Sequence, residues 1–263
     1  MVGSRDIRAP LLASRESPGR RTDEWILDGI GLLVQGAVIP LLQVVVADVV
    51  LSALAPQWRG AVRLDWWAAF LLNFVVVDYA YYWNHRLLHT PALWRWHAVH
   101  HTAAAMDVLV TSRNTLWTNG MILYLWVNGL GAFLLADPTP YLAAAALTAA
   151  LDLWRHSRPR PGTPISRAVS LILVTPLDHA WHHSASRPGC NFGANLGWWD
   201  RLHGTAWRSL EAPPALGVEA GGTLLMRLLW PPRRPTPERV DWPPTMTGGG
   251  CLARRSRRRA EHQ

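Results

Sequence analysis

Two stretches of the chain, HAVHH at 97–101 and HAWHH at 179–183, spell nearly the same five-residue word, and HRLLH at 85–89 stands just before the first. Eight of the eleven histidines fall in these three words. Residues three and four apart share a helix face, so each word is expected to put two or three imidazoles on one stripe. Neutral imidazole ligates Fe, Zn, Cu and Ni. His85, His89, His97, His100, His101, His179, His182 and His183 together offer eight nitrogens. One ion takes about four to six ligands, so this supply predicts two metals sharing a cage. His156, in LWRHSR, is a ninth candidate ligand, or else a cap on the helix that precedes it.

Other chemistries lack their residues. A zinc protease needs HExxH with Glu as base, and the second position of HRLLH is Arg86. No GxSxG, P-loop or dinucleotide fingerprint is present, and Cys190 and Cys251 form no CxxC. The net charge is +8, with all 26 basic residues Arg. That balance suits an anionic membrane face, and no nucleic-acid motif accompanies it.

The elements that must position the histidines are apolar. About half the residues are hydrophobic, and sixteen are Trp. Residues 26–54, 66–84, 115–136 and 139–154 are four candidate spans, since a bilayer core of roughly 30 Å needs about 20 apolar residues in a helix. Asp28, Asp48 and Pro40 weaken the first. Short connections pair the spans into two hairpins. The Arg-rich segments outside them place both termini and every histidine word on the cytoplasmic side. The expectation is an all-α polytopic membrane protein with a cytoplasmic helical cap over a histidine-rich metal site. Residues 1–24 read as a cytoplasmic N-terminal segment without a signal peptide, 25–230 as the membrane domain, and 231–263 as a disordered basic tail.

In these residues the sequence resembles the fatty acid hydroxylase/sterol desaturase superfamily. Its pattern, HxxxH, HxxHH, a further His, then HxxHH, is met by His85 and His89, by His97, His100 and His101, by His156, and by His179, His182 and His183. DYAYYWNHRLLH, LWRWHAVHHT, TPLDHAWHHS and NFGANLGWWDRLHGT resemble its flanking blocks, so the likeness covers about 70–205. It implies two iron ions held by histidine at the cytoplasmic face of a membrane, for this chain that of a bacterial cell. It further implies O2-dependent hydroxylation or desaturation of a sterol, fatty acyl or related lipid drawn from the bilayer. With no flavin, NAD or haem domain in the chain, electrons must come from an external donor, a ferredoxin or a cytochrome or other reductase.

The chain departs from the family pattern at Asn114, where many members have His, at His203, where Phe is usual, and at Arg158, where Asn is frequent. His203 reads as a structural substitute rather than a ligand. Asp78 lies seven residues before His85, within about 20° on the same helix face. Asp78, Asp152 and Asp178 are therefore candidates to orient ligand imidazoles from behind, or else are helix-end carboxylates. Asn191 and Asp200 read as a turn and a cap beneath the site. Two rival functions compete: a zinc-binding membrane protein with a non-redox or structural role, and a transporter with a histidine proton relay. The ligand surplus argues against the first, and histidines at the ends of the spans rather than within them argue against the second.

Overall fold

The computed structural model describes residues 20–186, 189–219 and 221–233. The proposed N-terminal segment and basic tail lie largely outside the described residues. Within them the chain is helical, with isolated bridging pairs and no strand.

The first long helix, α1 (Thr22–Leu54), is apolar and long enough to cross a membrane, and only 6% of its most apolar window is buried inside the protein. A core helix of a soluble protein would be mostly buried; this one turns Leu33, Leu41, Val44 and Val49 outward. The residues that weakened its sequence signal are each accommodated. Asp28 is fully buried and receives the Arg113 guanidinium at 2.7 and 2.9 Å. Asp48 pairs with Arg59 at 2.5 Å. Pro40 would crowd the carbonyl of Gly36, and there the helix widens into a π-type stretch, Val34–Val38.

Helix α2 (66–88) opens at Asp65, whose carboxylate accepts from Ala68 N at 2.8 Å. It ends in the first histidine word. Short helix α3 (Trp94–His97) and a tight turn (His100–Thr102) carry the second word. The expected single helix over 115–136 is instead two, α4 (Leu116–Met121) and α5 (Tyr124–Leu134). Asn84 of α2 stabilises the break: its amide donates to Met121 O at 3.1 Å and its oxygen accepts from Leu123 N at 3.2 Å. Helix α6 (Thr139–Arg155) runs unbroken to His156. Four shorter helices follow: α7 (Pro164–Val169), α8 (Pro176–His182), α9 (Trp198–Leu202) and α10 (Leu224–Leu229).

Of the two expected sequential pairs, α5 does contact α6, but the more extensive packing is between other partners. α1 lies against α5, and α2 against α6. Small buried residues, Ala69 of α2 and Ala144 of α6, suit a close approach. The connection 55–65 joins the end of α5 through Gly60 N to Phe133 O and Val62 N to Leu134 O, both 2.9 Å. Every histidine word lies at the opposite ends of α2 and α6.

Candidate metal centre

Nine imidazoles meet at that opposite end, none more than 6% exposed. They form two groups, each with its ligand atoms within 4.8 Å of one another: His85, His89, His97, His101 and His182, and His100, His156, His179 and His183. The groups adjoin, with the rings of His101 and His183 stacked at 4.3 Å.

Each HxxHH word is divided between the groups. In the first word, His97 and His101 enter the first group and His100 the second; in the other, His179 and His183 enter the second group and His182 the first. The i,i+4 pair of each word faces one group and the i+3 residue, about 60° round the helix, faces the other. A single stripe per word was expected. The division is the same in both words, although the regular helix stops at His97 in the first and runs on to His182 in the second.

Helix starts set this geometry. Thr175 and Asp178 form a capping box at the start of α8, with Thr175 Oγ1 receiving Asp178 N at 3.3 Å and Asp178 receiving Thr175 N at 3.0 Å. Pro176 sits at the first helical position, where its missing N–H costs nothing.

Behind the rings, backbone acceptors dominate. His85 Nδ1 lies 2.8 Å from Phe192 O and His182 Nδ1 lies 2.8 Å from Cys190 O. His156 Nδ1 lies 2.8 Å from Asp152 O and 3.2 Å from Asp152 Oδ1. Each contact fixes the proton on Nδ1 and leaves Nε2 a lone pair facing inward. The two carbonyls come from one loop, 190–193. Asp200 receives Phe192 N (2.7 Å), Gly193 N (2.8 Å) and Thr205 Oγ1 (2.7 Å). Asn191, held at a left-handed φ of 54°, bonds Asp178 O and Trp207 O. Read from the sequence as a turn and a cap, these two residues set the loop that orients His85 and His182. The carbonyls themselves leave no side-chain signature; the NFG and WD blocks are the only trace.

Of the three candidate orienting acids, Asp152 reaches a ring and also pairs with Arg155. Asp178 acts through the α8 capping box. Asp78 is taken up elsewhere: its oxygens accept from Asn195 N, Leu196 N and Trp199 Nε1. It ties α2 to the 195–199 segment and has no histidine partner among the described residues. His203 belongs to neither group; it stacks on Tyr82 at 5.1 Å and bonds the Tyr79 hydroxyl at 3.2 Å. Asn114 is buried.

The residues fit metal ions. Two imidazole nitrogens about 2.1 Å from one ion at right angles lie about 3 Å apart. Here His85–His97, His97–His101, His100–His156, His156–His179 and His179–His183 bring Nε2 atoms to 3.1, 3.3, 3.2, 2.9 and 3.2 Å. The Nε2 atoms of His89 and His182 are buried with no hydrogen-bond partner. Burial, followed by the neighbouring imidazoles, holds His85, His89, His100, His101, His179 and His183 well below the usual histidine pKa. It brings His97 down to about 3 and His182 to about 4. Neutral imidazole is the ligating form. Phe192 packs on His89 at 5.0 Å and Trp94 on His101 at 5.2 Å, closing the sides against water.

Fold and site together define a helical protein with an apolar exterior and two adjoining histidine cages. Residues 70–205, about half of the chain, match the fatty acid hydroxylase family model, and the chain belongs to that family. It is 32% identical over 180 residues to ornithine lipid hydroxylase OlsE of Rhizobium tropici, covering 65% of this chain and 50% of the relative. It is 30% identical over 193 residues to alkylglycerol monooxygenase of Danio rerio (68% and 41%), and 30% over 183 residues to fatty acid hydroxylase vlmA of Lecanicillium sp (62% and 49%). The matched region spans half or less of these relatives' length. No solved structure matches the chain significantly.

Proposed function

We propose that the protein is a membrane-bound di-iron oxygenase that hydroxylates a lipid. The single observation that carries this is the division of nine buried imidazoles into two adjoining groups of five and four. A structural zinc needs only four ligands and one group, so the surplus favours a redox pair over the zinc reading. An iron pair, when bound, supplies the O2 chemistry that side chains lack for an unactivated C–H bond. His85, His89, His97, His101 and His182 would hold one ion, and His100, His156, His179 and His183 the other.

The chain's own residues do the rest. The carbonyls of Cys190 and Phe192 and the backbone and carboxylate of Asp152 keep three ring protons on Nδ1. Asp200 and Asn191 keep the 190–193 loop in register. Trp94 and Phe192 wall the imidazoles from water. The overall reaction inserts one oxygen atom of O2 into a C–H bond and releases the other as water. It consumes two protons and two electrons from an external donor, a ferredoxin or a cytochrome or other reductase. Among hydroxylation and desaturation, the names of the relatives favour hydroxylation, and a lipid as substrate.

The membrane reading rests on α1. Between its paired acids Asp28 and Asp48, the stretch 29–47 rises about 28 Å at about 1.5 Å per residue, the thickness of a bilayer core. Helices α2 and α6, and the broken α4–α5 segment, complete a four-span bundle in this reading. The histidine end and the Arg-rich segments then face the cytoplasm of a bacterial cell.

The test is isotopic. Membranes from cells expressing the protein, supplied with 18O2 and reductant, are expected to yield a lipid heavier by one 18O, absent from the His100→Ala variant. A lipid profile unchanged under 18O2, in protein shown to hold two irons, would overturn the oxygenase reading.

A further inference from the structure

The cap carries a second surface that the metal centre does not use. The turn after α7 and helix α9 are joined edge to edge: Gly197 N donates to Ile172 O at 3.0 Å and Trp198 Nε1 to Leu171 O at 3.1 Å. Around this seam, Ile165, Leu171, Ile172 and Leu202 are all more than half exposed, and Trp198 is exposed beside them. Contiguous apolar exposure of this kind marks an interaction surface.

Two arginines sit in its middle. Arg201 Nη1 and Arg208 Nη2 both donate to Ser170 O, at 3.4 and 2.8 Å, and Arg201 also donates to Leu171 O. Neither forms an ion pair with a carboxylate among the described residues. The two guanidinium charges oppose each other, and the neighbouring carboxylates of Asp178 and Asp200, which offset part of this, reach neither as an ion pair. Guanidinium forks suit phosphate oxygens.

The depth of this surface follows from its other side. On α9, Trp199 and His203 face α2, with Trp199 4.7 Å from the Tyr79 ring and His203 4.7 Å from Trp83. Tyr79 and Trp83 lie in the last turns of the apolar stretch 66–84, where a span leaves the bilayer. Trp198, Arg201 and Leu202 fall within about 100° of one another on the outward side of α9. Trp beside Arg at that level is the composition of a membrane–water interface.

We propose that Arg201 and Arg208, framed by Leu171, Ile172, Trp198 and Leu202, form a site for the phosphodiester of an anionic phospholipid, seating the cap on the leaflet that the helices cross. This rests on the membrane reading above. The occupant is a lipid rather than a protein because the charge pair and the apolar rim share one face that continues the exit of α2. Seated so, the cap lies flat on the surface from which a lipid substrate is drawn.

The test uses the full chain in nanodiscs of phosphatidylcholine with phosphatidylglycerol. Nitroxide labels are placed at Ile172→Cys, Leu202→Cys and Leu41→Cys in a Cys251→Ser background, and collision with O2 is compared with collision with a water-soluble nickel chelate. Labels at 172 and 202 are expected at interfacial depth, with 41, outward-facing near the middle of the stretch 29–47, deep in the bilayer. A watery 172 and 202 with a buried 41 overturns this inference alone and leaves the surface to a soluble protein. A watery 41 overturns the membrane reading itself. Native mass spectrometry then reads lipid retention. Arg201→Gln/Arg208→Gln is expected to lose its preference for phosphatidylglycerol by about fivefold or more, on the scale of one basic side chain at an anionic surface. Arg201→Lys/Arg208→Lys is expected to keep most of it, and inorganic phosphate is not expected to displace the lipid. Equal retention by the wild type and the Gln variant, or displacement by phosphate, overturns the lipid site.

Discussion

Asp200→Asn tests whether the loop 190–193 orients the first imidazole group. Asp200 is buried, and burial raises its pKa to about 6 despite the donors that surround it. Its Oδ1 receives Phe192 N and Thr205 Oγ1, and its Oδ2 receives Gly193 N. Asparagine retains one acceptor oxygen and turns an amide N–H2 toward a donor. One charge-assisted bond is lost, at about 1.5–3 kcal/mol, and a buried N–H is left unsatisfied, at about 1–3 kcal/mol. Relief of the buried charge offsets part of this, so a net loss of about 2–4 kcal/mol is expected. The loop shift carries Phe192 O away from His85 Nδ1 and Cys190 O away from His182 Nδ1. Loss of such a partner behind a ligand weakens metal affinity by about 10–100-fold. Only His85 and His182 are affected, and both belong to the first group. Anaerobic chelator titration of iron-loaded protein should therefore show one ion released early and one at the wild-type concentration. Thr205→Val, which removes a single bond, should shift the first step less. Parallel loss of both ions, or a wild-type curve in a destabilised variant, would refute the reasoning.

Other outcomes follow from the same geometry. His182→Ala and His183→Ala alter neighbouring residues in different groups, so each should lose a different ion, and the double variant both; identical single-variant curves would contradict the crossed arrangement. Asp28→Ala leaves the buried Arg113 guanidinium without its fork and should cost about 3–5 kcal/mol, whereas Asp28→Leu/Arg113→Met should recover most of it, as unfolding in mixed micelles would report. For metal-free protein, the unfolded histidines bind protons below about pH 6.5, while folded His97 and His182 stay neutral to about 3 and about 4. The unfolded state then holds more protons, and stability falls with acid across that window by roughly 1.4 kcal/mol per histidine per pH unit. Melting temperatures at pH 7.5, 6.5 and 5.5 would check this, and a flat profile would contradict it.

The candidate ligands were legible in the sequence because histidine is a side chain that can ligate a metal and the spacing of these histidines matches a helix turn. How the words divide was not, because i, i+3 and i+4 all fall on one broad helix face, and which ring meets which neighbour is decided by the elements packed across from it. Nor were the carbonyls of Cys190 and Phe192, since a backbone acceptor is the same atom in every residue. The apolar run 115–136 read as one span because hydropathy does not register a break stabilised by a single polar side chain, Asn84, from another helix. Asp78 showed the correct face periodicity but the wrong partner: three donors from 195–199 reach its carboxylate, and tertiary contact overrides helical spacing. His203 was legible as a structural aromatic, and it stacks on tyrosines.

The central claim is that two irons occupy the two histidine groups. Metal analysis of the full chain, purified anaerobically from iron-supplied cells beside His100→Ala and His182→Ala, tests it most directly. About two irons per wild-type chain, with one missing from each variant, is the predicted result. Zinc alone, with no iron taken up on reconstitution, would contradict it.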